Sequence, residues 1–226
     1  MVIISRSFKI SRDPYANGSN MYKKKTITIE PGVTVLVGCN GCGKTTLLNY
    51  IRMELDSKKI PNVYFNNLHD GGANARSSAA FHGDFEFVGV SFNSSEGENI
   101  VMNMGKTAAK IGRMVQLYCN DKDTNEMWVL LDAIDSGLSI DNIVDVKKYL
   151  FDVVLKDART QGKEVYIIVS ANEYEMANGE SCFDVQNSKY RVFKTYDAYR
   201  KYILKSKELK DLRDHPERAI RERKTR

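Results

Sequence analysis

The chain of 226 residues is 42% hydrophobic and 28% charged, which excludes a disordered or collagen-like chain and is enough for one domain with a sizeable core. Its net charge of +5 is uneven: residues 200–226 carry eleven Lys/Arg against five Asp/Glu, so the basic character belongs to the tail. No apolar run approaches the roughly 20 residues of a membrane helix. The opening "MVIISRSFKISRD" lacks a signal-peptide layout and the four cysteines form no disulfide framework, so a cytoplasmic protein with reduced thiols and no membrane insertion is expected.

In chain order, "VIISRSFKI" and "KKKTITIE" alternate like strands, with Ile27 and Ile29 on one face. "NGSN" between them supplies turn chemistry, which predicts a β-hairpin. "VTVLVG" is a continuous apolar run suited to a buried parallel strand. Leu47, Leu48, Ile51 and Leu55 then recur at helical spacing. "NVYF" and "FEFVGVSF" are strand candidates separated by a polar loop. Over residues 97–118, Ile100, Val101, Met104, Ala108, Ile111, Val115 and Tyr118 form the stripe of a long amphipathic helix. The strand "WVLLD", a helix around 140–158, the strand "EVYIIVS" and an edge strand "KYRVF" follow. Residues 196–223 read as mainly helical, with an interruption before Pro216 and with Tyr196, Tyr199 and Tyr202 packing on the body. Strands alternating with helices predict an α/β fold with a mainly parallel sheet and helices on its faces.

"GCNGCGKT", from Gly38 to Thr45, fits G-x-x-x-x-G-K-[ST] and stands between a buried strand and an amphipathic helix. Gly38, Gly41 and Gly43 let the loop wrap, with Asn40 inside it, so that backbone N–H groups face phosphate oxygens. The helix N-terminus adds its positive dipole end. Lys44 is placed for β- and γ-phosphates, Thr45 for Mg²⁺ and Thr46 for the α-phosphate. "CNGC" is also a C-x-x-C, but no second pair and no histidine accompany it. Cys39 and Cys42 are therefore read as loop residues whose oxidation would inhibit. Asp132 ends an apolar strand about ninety residues downstream, a place suited to a carboxylate that supports Mg²⁺. A helix N-cap after a strand is the plainer reading of the same residue.

"GCNGCGKTTLL" resembles the G-x-N-G-x-G-K-[ST]-T-L-L of ABC-type ATPases. "LLDAIDSGL" resembles the D-E-x-D-x-x-L of the branch that includes chromosome-maintenance and recombination-repair proteins. "SSEGE" resembles that branch's S-x-G-E signature, which likewise opens a long helix. The three stand in the family's order, and the resemblance spans about residues 2–200. It implies an ABC-type nucleotide-binding domain over 1–200, followed by a basic, largely helical tail over 201–226. It also implies that Ser95, Gly97 and Glu98 form a second phosphate site facing ATP held by another subunit. An ordinary capping box accounts for the same residues locally. In the family an aromatic of the N-terminal sheet stacks on adenine, and Tyr15 and Tyr22 are the options here.

Three departures from the family bear on activity. Ala133 stands where the family has the glutamate that polarises the attacking water, and a side chain without an acceptor predicts slow hydrolysis. Asp135 is the nearest candidate to replace it as a catalytic group, with Glu98 and Glu173 behind it. The family's switch histidine has no counterpart in "IIVSANEYE", which leaves Asn172 as a candidate γ-phosphate sensor, whereas His69, His82 and His215 fall elsewhere. Only 51 residues separate Lys44 from Ser95, and that stretch has no glutamine to reach Mg²⁺, so Asn66, Asn67 and Asp70 are its candidate replacements. The resemblance thus implies a protein that binds ATP and Mg²⁺, forms a homodimer around two ATP molecules, and acts as a nucleotide-dependent switch or clamp with weak or partner-dependent hydrolysis. The alternatives are a non-hydrolysing subunit serving a larger effector protein and, less favoured by the short insert, a transporter's ATP-binding subunit. The tail reads first as a solvated helix with i,i+4 ion pairs, and second as a nucleic-acid contact.

Overall fold

The computed structural model describes residues 5–67, 96–119 and 125–215, with a few positions between 80 and 90. Ser94, Ser95, His69, Asp70, His82 and the segment from Pro216 onward, on which several expectations fall, lie outside the described residues. β1 (Arg6–Lys9) pairs antiparallel with β2 (Thr26–Ile29), the expected hairpin. The second sheet has six strands: β3 (Gly32–Val37), β4 (Asn62–Asn66), β5 (Glu126–Asp132), β6 (Glu164–Ser170), β7 (Ser181–Asp184) and β8 (Lys189–Arg191). Their order is β4-β5-β6-β3-β7-β8. All neighbours run parallel except β7 and β8.

The central strands read as unbroken apolar runs because both faces of the sheet are covered. Val35 and Val37 of β3, Val129 and Leu131 of β5, and Ile167 and Val169 of β6 enter one core layer. The layer is closed by α2 (Glu96–Cys119), α3 (Ile140–Val146) and α4 (Asp152–Thr160), the last two joined by a π-helical turn over Lys147–Phe151. Leu36, Leu130 and Ile168 enter the opposite layer, under α1 (Lys44–Ser57) and the hairpin. In that layer Trp128 stacks on Tyr166 with centroids 4.0 Å apart, and Phe8 of β1 meets Trp128 edge-on at 5.2 Å. These ring contacts tie the hairpin to the main sheet. α5 (Tyr174–Ala177) and α6 (Tyr196–Asp214) complete the described chain.

Two local expectations give way. "FEFVGVSF" alternates like a strand, yet its described positions Glu86, Gly89 and Val90 are helical, and no strand of the sheet includes them. β7 has no alternating pattern in the sequence. It forms because Asp184 closes the turn after it, accepting from the Asn187 backbone (3.1 Å), Asn187 Nδ2 (2.9 Å) and Arg191 Nε (2.8 Å). α6 runs without a break from Tyr196 to Asp214. Tyr199 is buried and Tyr202 packs on the core, whereas Tyr196 is exposed and keeps only an edge contact with Tyr174. No described helix is long and apolar enough to cross a membrane.

Candidate functional site

Strand parity builds the site. β5 sends Trp128 and Leu130 toward α1, and Asp132 shares their parity. The registers Asn66↔Asp132 and Asp132↔Ser170 place three polar side chains in one row at the carboxyl ends of β4, β5 and β6. The loop after β3 and the start of α1 lie over that row. The loop 38–43 turns through left-handed backbone at Gly41 (φ 75°) and Gly43 (φ 103°). A Cβ on Gly43 would sit 2.3 Å from Met21 Sδ and 2.9 Å from the Tyr22 hydroxyl, and that hydroxyl donates to the Gly43 carbonyl at 2.9 Å. Only glycine meets both the torsion and the space. Lys44 is buried and folds back, donating from Nζ to the Gly38 carbonyl at 2.8 Å.

Asp132 is 2% exposed and its carboxylate is nearly enclosed by donors. Thr45 Oγ1 reaches Oδ1 at 3.1 Å, Asn66 Nδ2 reaches Oδ2 at 3.0 Å, and the Ser170 hydroxyl donates to Oδ1. Ser170 Oγ in turn accepts from the Ala133 backbone N–H at 3.0 Å. Of the two glutamine substitutes among the described residues, Asn66 lies against Asp132 and Asn67 donates to the Ser136 carbonyl. Ser170 was not anticipated from the sequence. Its signal is only that it ends the strand paired with β5, and that pairing is not visible in a sequence.

Thr45 and Asp132 offer a hydroxyl and a carboxylate, with no sulfur or imidazole donor. That is a hard-oxygen set, and among the described residues no cluster of three or more His, Cys, Asp or Glu could hold a metal unaided. The set fits Mg²⁺, which takes one or two carboxylates and fills its remaining positions with phosphate oxygens and water. An open cleft of about 360 Å³ lies over these groups, lined by Tyr15, Lys44, Thr45, Asp132, Ala133 and Asn172 among others. Tyr22 is 1% exposed and belongs to the core under the loop. Tyr15 is 64% exposed at the cleft, with its hydroxyl 3.2 Å from Thr46 Oγ1.

Asp135 does not point at the cleft's open side. Its Oδ2 accepts from the backbone N–H groups of Asn172 (2.6 Å) and Glu173 (2.7 Å), and the residue is 1% exposed. Burial pushes its carboxyl above the usual carboxylate range, with the two N–H donors opposing. Tyr199 of α6 donates to the Asn172 carbonyl at 2.9 Å. The Asn172 backbone is thus held from both sides, and the residue lines the cleft. α6 grips the phosphate loop as well: Tyr202 donates to the Val37 carbonyl at 3.2 Å, and Ser206 Oγ accepts from the Cys39 N–H at 2.9 Å. Gly97 and Glu98 occupy the first turn of α2.

A model of the AAA domain matches residues 16–226. A comparison with curated proteins finds no match. Among solved structures, the ADP conformation of an ATP-binding cassette of an ABC transporter is similar over 91% of this chain and 98% of its own. The identity is 13% and the TM-score 0.50, a likeness of fold alone. The glycine loop after β3 and the carboxylate at the end of β5 both stand at the carboxyl ends of the parallel strands, where open α/β sheets place their ligand sites. The chain belongs to the AAA domain family, and its fold is that of an ABC-type P-loop ATPase.

Proposed function

We propose that the cleft binds Mg-ATP, that ATP joins two copies of the chain head to tail, and that the assembly works as a switch or clamp which cleaves ATP slowly. The observation that carries this reading is the convergence of Thr45, Asn66 and Ser170 on Asp132 beneath the glycine loop, with Ala133 as the next residue. Gly38, Asn40, Gly41 and Gly43 shape the cradle for the phosphates, and Thr46 serves the α-phosphate. Lys44 leaves the Gly38 carbonyl for the β- and γ-phosphates, a swap of one acceptor for a charged one. Bound Mg²⁺, held through Thr45 with Asp132 in support, would neutralise phosphate charge. Asn66 and Ser170 hold the Asp132 carboxylate in place by donating to its two oxygens. Tyr15 is the aromatic available to the base, since Tyr22 is enclosed in the core.

Slow cleavage follows from two residues. Ala133 offers no acceptor for a proton of the attacking water, a deficit of about 10²–10⁴-fold. Asp135 is enclosed and gives one carboxylate oxygen to the 172–173 backbone, so it acts through Asn172 as a positioning group and not as the base. Asn172 reads the γ-phosphate through its amide. The Ser95, Gly97 and Glu98 segment at the start of α2 supplies the second phosphate contact to the other copy. The experiment is nucleotide binding together with phosphate release. The native protein should bind Mg-ATP, Lys44→Ala should lose about tenfold or more in affinity, and release should stay far below ordinary ATPase turnover. Equal affinity in Lys44→Ala would remove the cradle from the reading. Fast native turnover would remove the slow-hydrolysis part.

A further inference from the structure

Two cysteines lie inside the glycine loop, and the proposed nucleotide chemistry uses neither. Cys39 and Cys42 bracket a tight turn in which the Cys42 N–H donates to the Cys39 carbonyl at 3.2 Å. A turn of this kind keeps its end Cα atoms within about 7 Å, the range that a disulfide spans. The two thiols are near enough to shift each other's proton affinity in opposite directions. Both residues are buried, at 6% and 1% exposure, so they are shielded from bulk reagents. Cys39 nevertheless lines a second cleft of about 400 Å³ between the loop and α6, whose wall carries Lys207 and Lys210. A small neutral oxidant reaches Cys39 there.

The two thiols are unequal. The hydrogen bond from Cys42 brings the Cys39 thiol down to about 6 against the opposition of burial, with help from Ser206 and the charges of Lys44 and Lys210. The same hydrogen bond, with burial, pushes Cys42 well up. The shifts run in opposite directions, Cys39 toward the thiolate and Cys42 toward the thiol, the division of labour of an attacking and a resolving cysteine.

We propose that Cys39 and Cys42 form a peroxide-sensitive dithiol whose oxidation closes the phosphate cradle. The Cys39 thiolate attacks one oxygen of hydrogen peroxide. An S–O bond forms, the O–O bond breaks, and hydroxide leaves as water after taking a proton from solvent. The Cys42 sulfur then displaces the hydroxyl from Cys39. An S–S bond forms, the S–O bond breaks, and the departing hydroxide takes the Cys42 proton as a second water. Two thiols are oxidised and one peroxide is reduced. The disulfide draws Cys39 and Cys42 together and moves the Asn40–Gly43 backbone with them, so the loop N–H groups leave the positions that meet phosphate. Cys39 also accepts a long contact from Lys44 Nζ at 3.5 Å through its carbonyl, so the lysine is disturbed by the same movement.

The inhibitory half rests on the nucleotide-binding reading above, and the test separates the two. The full chain is treated with hydrogen peroxide and digested without reductant for mass spectrometry, while a fluorescent ATP analogue reports binding before oxidation, after it, and after dithiothreitol. The expected results are a Cys39–Cys42 disulfide peptide, affinity reduced at least about tenfold, and recovery on reduction. Cys42→Ser should stop at a sulfenic acid on residue 39 that dimedone traps, and binding by Cys39→Ser should no longer respond to peroxide. Failure of the reduced protein to bind the analogue overturns the nucleotide reading and leaves the dithiol to be decided by the disulfide peptide. Absence of that peptide overturns the dithiol. A disulfide formed with affinity unchanged overturns its control of the cradle.

Discussion

Ala133 sits at φ 54°, in left-handed backbone that costs a side chain about 1–3 kcal/mol, and its N–H is fixed by Ser170. Glutamate bears about the same backbone cost there as alanine, so Ala133→Glu should fold as the native chain does. It should raise phosphate release by ~10²–10⁴-fold, and an unchanged rate would show that the missing carboxylate is not the barrier. Asp135 gives a paired test. Asp135→Ala strands two N–H donors and should lose roughly 2–4 kcal/mol in chemical denaturation. Asp135→Asn keeps an acceptor oxygen and removes a buried charge, so its stability should stay within about 1 kcal/mol of native, with residual hydrolysis retained. Loss of that residual rate by about 10²-fold would restore Asp135 as the base. The carboxyl also leaves a pH signature. Its folded pKa is raised above the ordinary 3.8, so the folded chain holds the proton to higher pH. The stability it contributes is full below 3.8 and is lost as pH rises through the raised value. Denaturant midpoints across this acid range should lose that part of their slope in Asp135→Asn.

At the scale of elements, α6 is the piece whose place the sequence conceals. Its periodicity shows a helix, and its eleven-to-five charge balance with the following residues suggests a solvated tail. Yet Ser206 caps the Cys39 N–H across 167 positions and donates to Gln186 Oε1 at 2.5 Å. Ser206→Ala unpairs both groups and should cost about 1–3 kcal/mol, seen as a lower denaturant midpoint at unchanged slope. What was legible was what local chemistry dictates. The glycine loop needs its torsions, the strands covered on both faces need unbroken apolar runs, and the long stripe of α2 needs a core. What was hidden was set by partners distant in the chain. Ser170 matters only because β6 lies beside β5. β7 owes its existence to the Asp184 network and not to alternation. Tyr15 and Tyr22 are the same residue type seven positions apart, and only packing against Gly43 puts one in the core and the other at the cleft. The misread "FEFVGVSF" shows the converse: period-two alternation offers a strand, but it does not supply the neighbour that a strand requires.

For the whole molecule, the proposed function gives each phosphate two hosts. One chain's loop would hold the phosphates from below, and another chain's 95–98 segment would close over them. ATP then binds the dimer better than the monomer, and the population shifts by that difference in affinity. Association should be concentration-dependent as well as nucleotide-dependent. Sedimentation with Mg-ATP should therefore show a species of twice the monomer mass, and with ADP the monomer. Ser95→Arg should keep ATP binding and lose the dimer, because the charge and bulk enter at the contact with the partner and not at the cradle. On that proposal the Ala133 deficit would set how long the dimer lasts. With cleavage slow, the ATP-bound dimer should decay slowly after free nucleotide is removed, and in Ala133→Glu the same decay should quicken in step with phosphate release. A dimer whose lifetime ignores that substitution would mean that γ-phosphate cleavage is not what opens it. A monomer in both ATP and ADP would remove the sandwich while leaving the nucleotide site itself intact.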